Sequence, residues 1–229
     1  MRIDRCPSRD AVSSTGRTDT KIRRMQMPSS LDPALPRCEA RRQQILDAAA
    51  ECFAREGFHG TSIARLSKEA GMSSGHIYHF FANKETIIAA LIERRLECAQ
   101  EMARHFESAE DVFQALLDRV DIGLREKTER EYAALEMEIY AEAARNPDVA
   151  SILMEADRIK RGHLVKVFQK ARLSRASEHA EQSSSESMEA ETEILMALFD
   201  GLAARAISHP ELDREAMAPL LRKVMRALL

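Results

Sequence analysis

From Arg41 onward, apolar residues recur every three or four positions, the period of an amphipathic helix. In "RRQQILDAAAECFAREG", Ile45, Ala49, Cys52 and Phe53 share one face, and Gly57 ends the run. "TSIARLSKEAG" repeats the pattern in miniature: Thr61 or Ser62 can cap it, Ile63, Leu66 and Ala70 form the stripe, and Gly71 supplies a left-handed stop. "SSGHIYHFF" is expected to be a short helix capped by Ser73. Asn83 then caps a long helix whose stripe runs through Ile87, Leu91 and Met102. Helical segments are also expected over 111–127, 130–145, from Pro147 to about Leu173, over 189–208 and from about Pro219 to Leu228. No strand pattern competes with these, so the chain is expected to be all-α.

Two stretches lack any period. Residues 1–37 hold Pro7, Pro28, Pro33 and Pro36 and are expected to be a disordered extension. Residues 174–187, "SRASEHAEQSSSES", are expected to be a flexible loop. Charge sharpens this division. The formal net charge is −3, but residues 37–84 carry seven basic and five acidic side chains, whereas residues 85–229 carry twenty and twenty-eight. Positive charge thus gathers in the first third, where a polyanion could be gripped, ahead of an acidic body.

Composition removes several classes. No apolar run approaches the roughly 18–20 residues of a membrane span, so no membrane partner is expected. The basic N-terminus is not followed by an apolar core, so no secretory signal is expected. Cys6, Cys38, Cys52 and Cys98 are scattered, as in a chain with reduced thiols in the cytoplasm. There is no nucleophile elbow and no phosphate-cradling glycine loop, so neither catalysis nor a cofactor is expected. His76 and His79 stand three apart, but no Cys or carboxylate lies near enough in sequence to complete a metal site.

The two short helices around Gly71 have the form of a helix-turn-helix at about residues 61–80. Met72 and Ile77 would lock the pair, leaving Ser74, His76, Tyr78 and His79 outward. Those side chains can hydrogen-bond to phosphates and base edges, and a helix about 10–12 Å wide fits the major groove. By itself the motif is weak, because short helix pairs with a glycine turn are also ordinary packing units.

The whole of residues 41–92 says more. The run "ILDAA…F…GF.GTSI" followed by "I..L...AGMS.G.IY.FF.NKE" resembles the DNA-binding domain of the TetR family of transcriptional regulators. The resemblance implies a DNA-binding domain over residues 38–98, with three helices and a fourth linking it to the rest. Residues 99–229 would then be a helical effector-binding and dimerisation domain. It implies phosphate contacts from Thr61, Ser62, Tyr78 and Lys84, and base or backbone contacts from Ser74, Gly75, His76 and His79. Two positions depart from the family's pattern: Ser67 replaces a small apolar residue, and Phe80 a polar one. "ALFDGLAARA" resembles the family's dimerisation helix, which would pair with the last helix across a two-fold axis. The expected interface residues are Leu195, Ala197, Leu198, Gly201, Leu202, Ala204, Arg205, Leu221 and Met225.

Phe106, Phe113, Leu117, Tyr132, Met137, Tyr140, Met154 and Phe168 are candidates for a ligand pocket in the middle helices, although such residues at helical spacing also make ordinary core. Glu136 and Glu138 could meet a cationic effector or form a solvated face. The expected function is that of a homodimeric repressor, released from a near-palindromic double-stranded DNA operator by a small-molecule effector. The competing reading is an interaction protein of the same fold, acting through a protein partner and binding DNA with little sequence preference.

Overall fold

A computed structural model describes residues 34–175 and 185–229, in which all regular structure is α-helical. Four helices make the head: α1 (Ala34–Glu56), α2 (Ile63–Ala70), α3 (Ser74–Phe80) and the first half of α4 (Lys84–Glu107). The rest of α4 enters the body. There it joins α5 (Val112–Asp118), α6 (Val120–Lys127), α7 (Arg130–Ala143), α8 (Pro147–Arg175), α9 (Ser185–Ser208) and α10 (Arg214–Leu228).

Local chemistry sets the ends of the head helices. Ser62 accepts from the Arg65 amide at 3.1 Å and Ser73 from the His76 amide at 3.2 Å. Asn83 and Thr86 cap each other's backbone in a reciprocal box at the start of α4. Gly71 closes α2 with φ 62°, a conformation that costs a residue with a Cβ about 1–2 kcal/mol.

Other boundaries differ from the sequence-based expectation. α1 starts at Ala34, so residues 34–37 belong to a helix; the expected disorder of residues 1–33 lies outside the described residues. Residues 174–175 and 185–187, expected in a loop, extend α8 and α9, and 176–184 lie outside the described residues. The segment expected over 111–127 is two helices meeting at Arg119, whose ψ of −11° departs from helical geometry. α10 begins five residues before Pro219, because Asp213 caps it by accepting from the Ala216 amide at 3.0 Å. Pro219 is exposed there, so the carbonyl it leaves unpaired one turn back can meet water.

Two cores organise the molecule. The head core contains Ile45, Leu46, Phe53, Phe58, Leu66, Ile77, Ile87 and Leu91, and it continues into the body through Leu135 and Ile139 of α7 and Val149 of α8. The body core gathers Phe106, Leu117, Leu124, Phe168, Leu195, Leu221 and Met225. A patch of alanines, Ala133 against Ala203 and Ala206, brings α7 onto α9. Among the described residues no helix is long and apolar enough to cross a membrane.

Candidate nucleic-acid interface and ligand cavity

α3 is anchored by one fully buried residue, Ile77, with Ser74 and Phe80 half-buried at its ends. Gly75, His76, Tyr78 and His79 are exposed, Tyr78 at 54%. Phe80 is half-buried against the head core and touches both imidazoles, His76 at 5.5 Å and His79 at 5.3 Å between ring centroids. The aromatic departure noted in the sequence therefore steadies the two outward histidines. A Cβ on Gly75 would meet only Ser73 Oγ, at 4.0 Å, so nothing inside the protein requires glycine there.

Three of the expected DNA contacts take a different form. Thr61 is 1% exposed and its hydroxyl donates to the Gly57 carbonyl at 2.8 Å. The tight turn at Gly57 puts that acceptor directly behind Thr61, so the side chain is an internal brace and not a phosphate contact. Ser62, the adjacent exposed cap, is the outward hydroxyl of the pair. The Ser74 hydroxyl lies 2.8 Å from that of Ser67, which itself donates to the Ile63 carbonyl at 2.8 Å. Ser67 has one proton, so Ser74 is the donor between them, and the two hydroxyls tie α3 to α2. Lys84 donates to the carbonyls of Phe58 (2.7 Å) and Thr61 (2.8 Å) and sits 4.7 Å from the Phe58 ring centroid. One of its three N–H groups remains for an external acceptor.

The second candidate site is a cavity of about 1640 Å3 between α4, α6, α7, α8 and α9. Of the residues named for a ligand pocket, Phe106, Tyr132, Tyr140, Met154 and Phe168 line it. Phe113, Leu117 and Met137 do not. Leu117 is sealed in the body core, Phe113 packs on the same core beneath Arg175, and Met137 faces the alanine patch between α7 and α9.

Sequence reasoning named Glu136 and Tyr140 but missed Lys127 and Asp200, which complete a charged corner of this cavity. Lys127 Nζ lies 2.8 and 3.2 Å from the two oxygens of Glu136 and 3.2 Å from Asp200 Oδ1. Tyr140 donates to the other Asp200 oxygen at 3.3 Å. Burial alone disfavours the Lys127 ammonium, but Tyr132, Glu136 and Asp200 outweigh that and raise its pKa. Burial first, then Asp200 and Glu136, push the Tyr140 phenol up, so it stays protonated and donates. The signal for this corner was Asp200 itself, a charge inside the most apolar helix of the chain. Arg95 stacks on Tyr132 with 4.2 Å to the ring centroid. Away from this corner Met102, Val120, Leu164 and Phe199 form an apolar stretch of the lining, and further charged side chains, Arg119, Arg158 and Arg161 among them, complete it.

The expected dimer residues divide between inside and outside. Leu195, Leu202, Leu221 and Met225 are buried within the protomer's own core. From Ile194 onward α9 is apolar on nearly every side, and Leu195, Met196 and Leu202 face the body. Ala197, Gly201, Ala204 and Arg205 are exposed on the opposite side, with Leu198 half-buried. Ile194, Leu220 and Val224 add exposed apolar surface to α9 and α10. Among the described residues no group of three or more His, Cys, Asp or Glu side chains is placed to hold a metal.

Residues 45–91 match the family model described as bacterial regulatory proteins, tetR family, and residues 109–229 match that of the BetI-type transcriptional repressor C-terminal region. The chain is 37% identical over 114 residues to the HTH-type transcriptional regulator UidR of Escherichia coli, covering 49% of this chain and 56% of that one. It is 34% identical over 127 residues to the HTH-type transcriptional repressor AcnR of Corynebacterium efficiens, covering 52% and 63%. The chain thus spans little more than half the length of these curated relatives. Among solved structures, Salmonella enterica GusR is 30% identical with a TM-score of 0.65, covering 87% of this chain and 98% of that one.

Proposed function

Because the chain belongs to the TetR family of bacterial regulatory proteins, we propose that it is a homodimeric repressor that reads a near-palindromic operator and lets go when a small molecule fills the cavity. The observation that carries this reading is α3, a helix with one buried residue and an outward row of Gly75, His76, Tyr78 and His79. Tyr78, Ser62 and the free N–H of Lys84 hold phosphates, while His76 and His79 read base edges across Gly75, where the missing side chain allows close approach. Ser74 and Thr61 hold this surface in shape.

A pair of heads supplies the specificity. The small residues Ala197, Gly201 and Ala204 let a second α9 come close, and Leu220 and Val224 of α10 extend the contact. Two recognition helices would then enter successive major grooves about 34–36 Å apart. The cavity favours an amphipathic effector, with an apolar body along Met102, Val120 and Phe199 and a polar end at Glu136 and Asp200. Shifting the heads from about 1:99 to 99:1 out of register needs roughly 5.5 kcal/mol of differential binding.

Selection of random duplexes on the purified chain tests the proposal. It should return one inverted repeat whose affinity falls steeply with salt. His76→Ala and His79→Ala should each relax the preference at one base position per half-site, by about 1–3 kcal/mol. Recovery of no shared repeat, or binding by a monomer, would refute it.

A further inference from the structure

Resting on the repressor reading above, we propose that Glu138, a residue of the body, is a positioning residue for DNA binding. Its carboxylate holds the loop that leads into α2 and passes the state of the cavity to the DNA-facing surface.

The loop over residues 57–62 is stiff. Gly57 has φ 78°, and a Cβ on Gly60 would lie 2.2 Å from the Glu56 carbonyl oxygen, so neither position accepts a side chain. Thr61 and Lys84 bind its carbonyls from within the head. Phe58 is fully buried, edge-on to Phe53 at 5.2 Å. A buried amide needs a partner, and for Phe58 that partner comes from eighty residues away: its N–H donates to Glu138 Oε2 at 3.0 Å. One turn further along α7, Glu142 lies 2.9 Å from His59 Nε2. The body thus holds the Phe58 amide and sets a carboxylate beside the next residue, and the loop delivers Ser62, the exposed cap of α2.

α7 has a second face. Glu138 and Glu142 are four apart on the side toward the head, while Tyr132, Glu136 and Tyr140, also spaced by four, line the cavity. Ile139 belongs to both, lying in the head core and in the cavity wall. A displacement of α7 by about 1 Å takes a 3.0 Å hydrogen bond beyond its useful range. The loop then either follows α7, carrying Ser62 and α2 off their place on the operator, or loses Glu138, which frees the Phe58 amide and loosens the segment that presents Ser62.

The test uses the full chain and the inverted repeat recovered by selection. Hydrogen exchange at the amides of residues 58–62 should speed up in Glu138→Ala and less in Glu138→Gln, which keeps an acceptor. Operator affinity should fall about tenfold in Glu138→Ala, equally for every base substitution in the site, with partial rescue by Glu138→Gln. Tyr140→Trp crowds the cavity face of α7. It should change operator affinity about tenfold in the parent and less than twofold in Glu138→Ala, a non-additivity that a merely structural residue would not produce. Unchanged loop exchange in Glu138→Ala would overturn the proposal. So would equal effects of Tyr140→Trp in both backgrounds, including no effect in either. If no duplex is bound at all, the repressor reading fails, while the exchange data still decide whether Glu138 holds the loop.

Discussion

In the head, Ile45, Leu46, Phe53, Leu66, Ile77 and Ile87 are sealed from solvent completely, whereas in the body Met102, Leu164 and Phe199 stop short at a cavity of about 1640 Å3. Both regions are helical bundles with similar apolar residues. The head uses them to hold its helices in one arrangement, since close-packed interiors are bistable at best and do not deform smoothly. The body leaves one wall of its core facing a void and braces that wall with a lysine between two carboxylates. A closed core and a core that opens onto a cavity can thus be built from one kind of element, and the difference lies in whether the packing closes.

The contrast can be broken first at the cores. Phe53→Ala should cost about 3–5 kcal/mol in urea unfolding, because the hole it leaves is walled on every side. Met102→Ala, already beside a void, should cost only about 1–2 kcal/mol. Equal losses would erase the distinction. Lys127→Met probes the brace next. It leaves buried Glu136 facing Asp200 without a cation and should cost about 2–4 kcal/mol near neutral pH. Urea unfolding of the variant beside the parent at neutral pH checks it.

Smaller effects sharpen the surface of the head. Tyr78→Phe should leave the melting temperature unchanged, since the ring is half-exposed, yet weaken operator binding by about 1 kcal/mol irrespective of base sequence. Gly75→Ala should raise stability by up to about 1 kcal/mol through helix propensity, because its Cβ would meet only Ser73 Oγ at 4.0 Å, and still impair DNA binding. A variant that is both more stable and fully active would remove the argument that this glycine serves an external surface.

Most of the head was legible from sequence because its boundaries are local chemistry: Ser62, Ser73 and Asn83 cap within three residues of themselves, and Gly57 and Gly71 take positive φ values that only their own turns require. What escaped was direction. Nothing in the order of residues says that the Thr61 hydroxyl turns back to Gly57 while its neighbour Ser62 turns out, since that depends on where the Gly57 carbonyl ends up. α9 was legible as a helix and illegible as an interface. A helix apolar on nearly all sides offers several stripes, and only the tertiary fold shows Leu195 and Leu202 facing inward and Ala197 and Gly201 outward. The cavity posed the same difficulty. Phe106 and Phe113 look alike in sequence, and a void is a property of several helices at once.

The head core does not end where the head ends, since Leu135, Ile139 and Val149 complete it from α7 and α8. Swapping recognition segments between relatives to build new biosensors would therefore do more than exchange a reading tip. A transplanted front end would arrive with an unfinished floor, and a working hybrid would need the three matching floor residues grafted along with it.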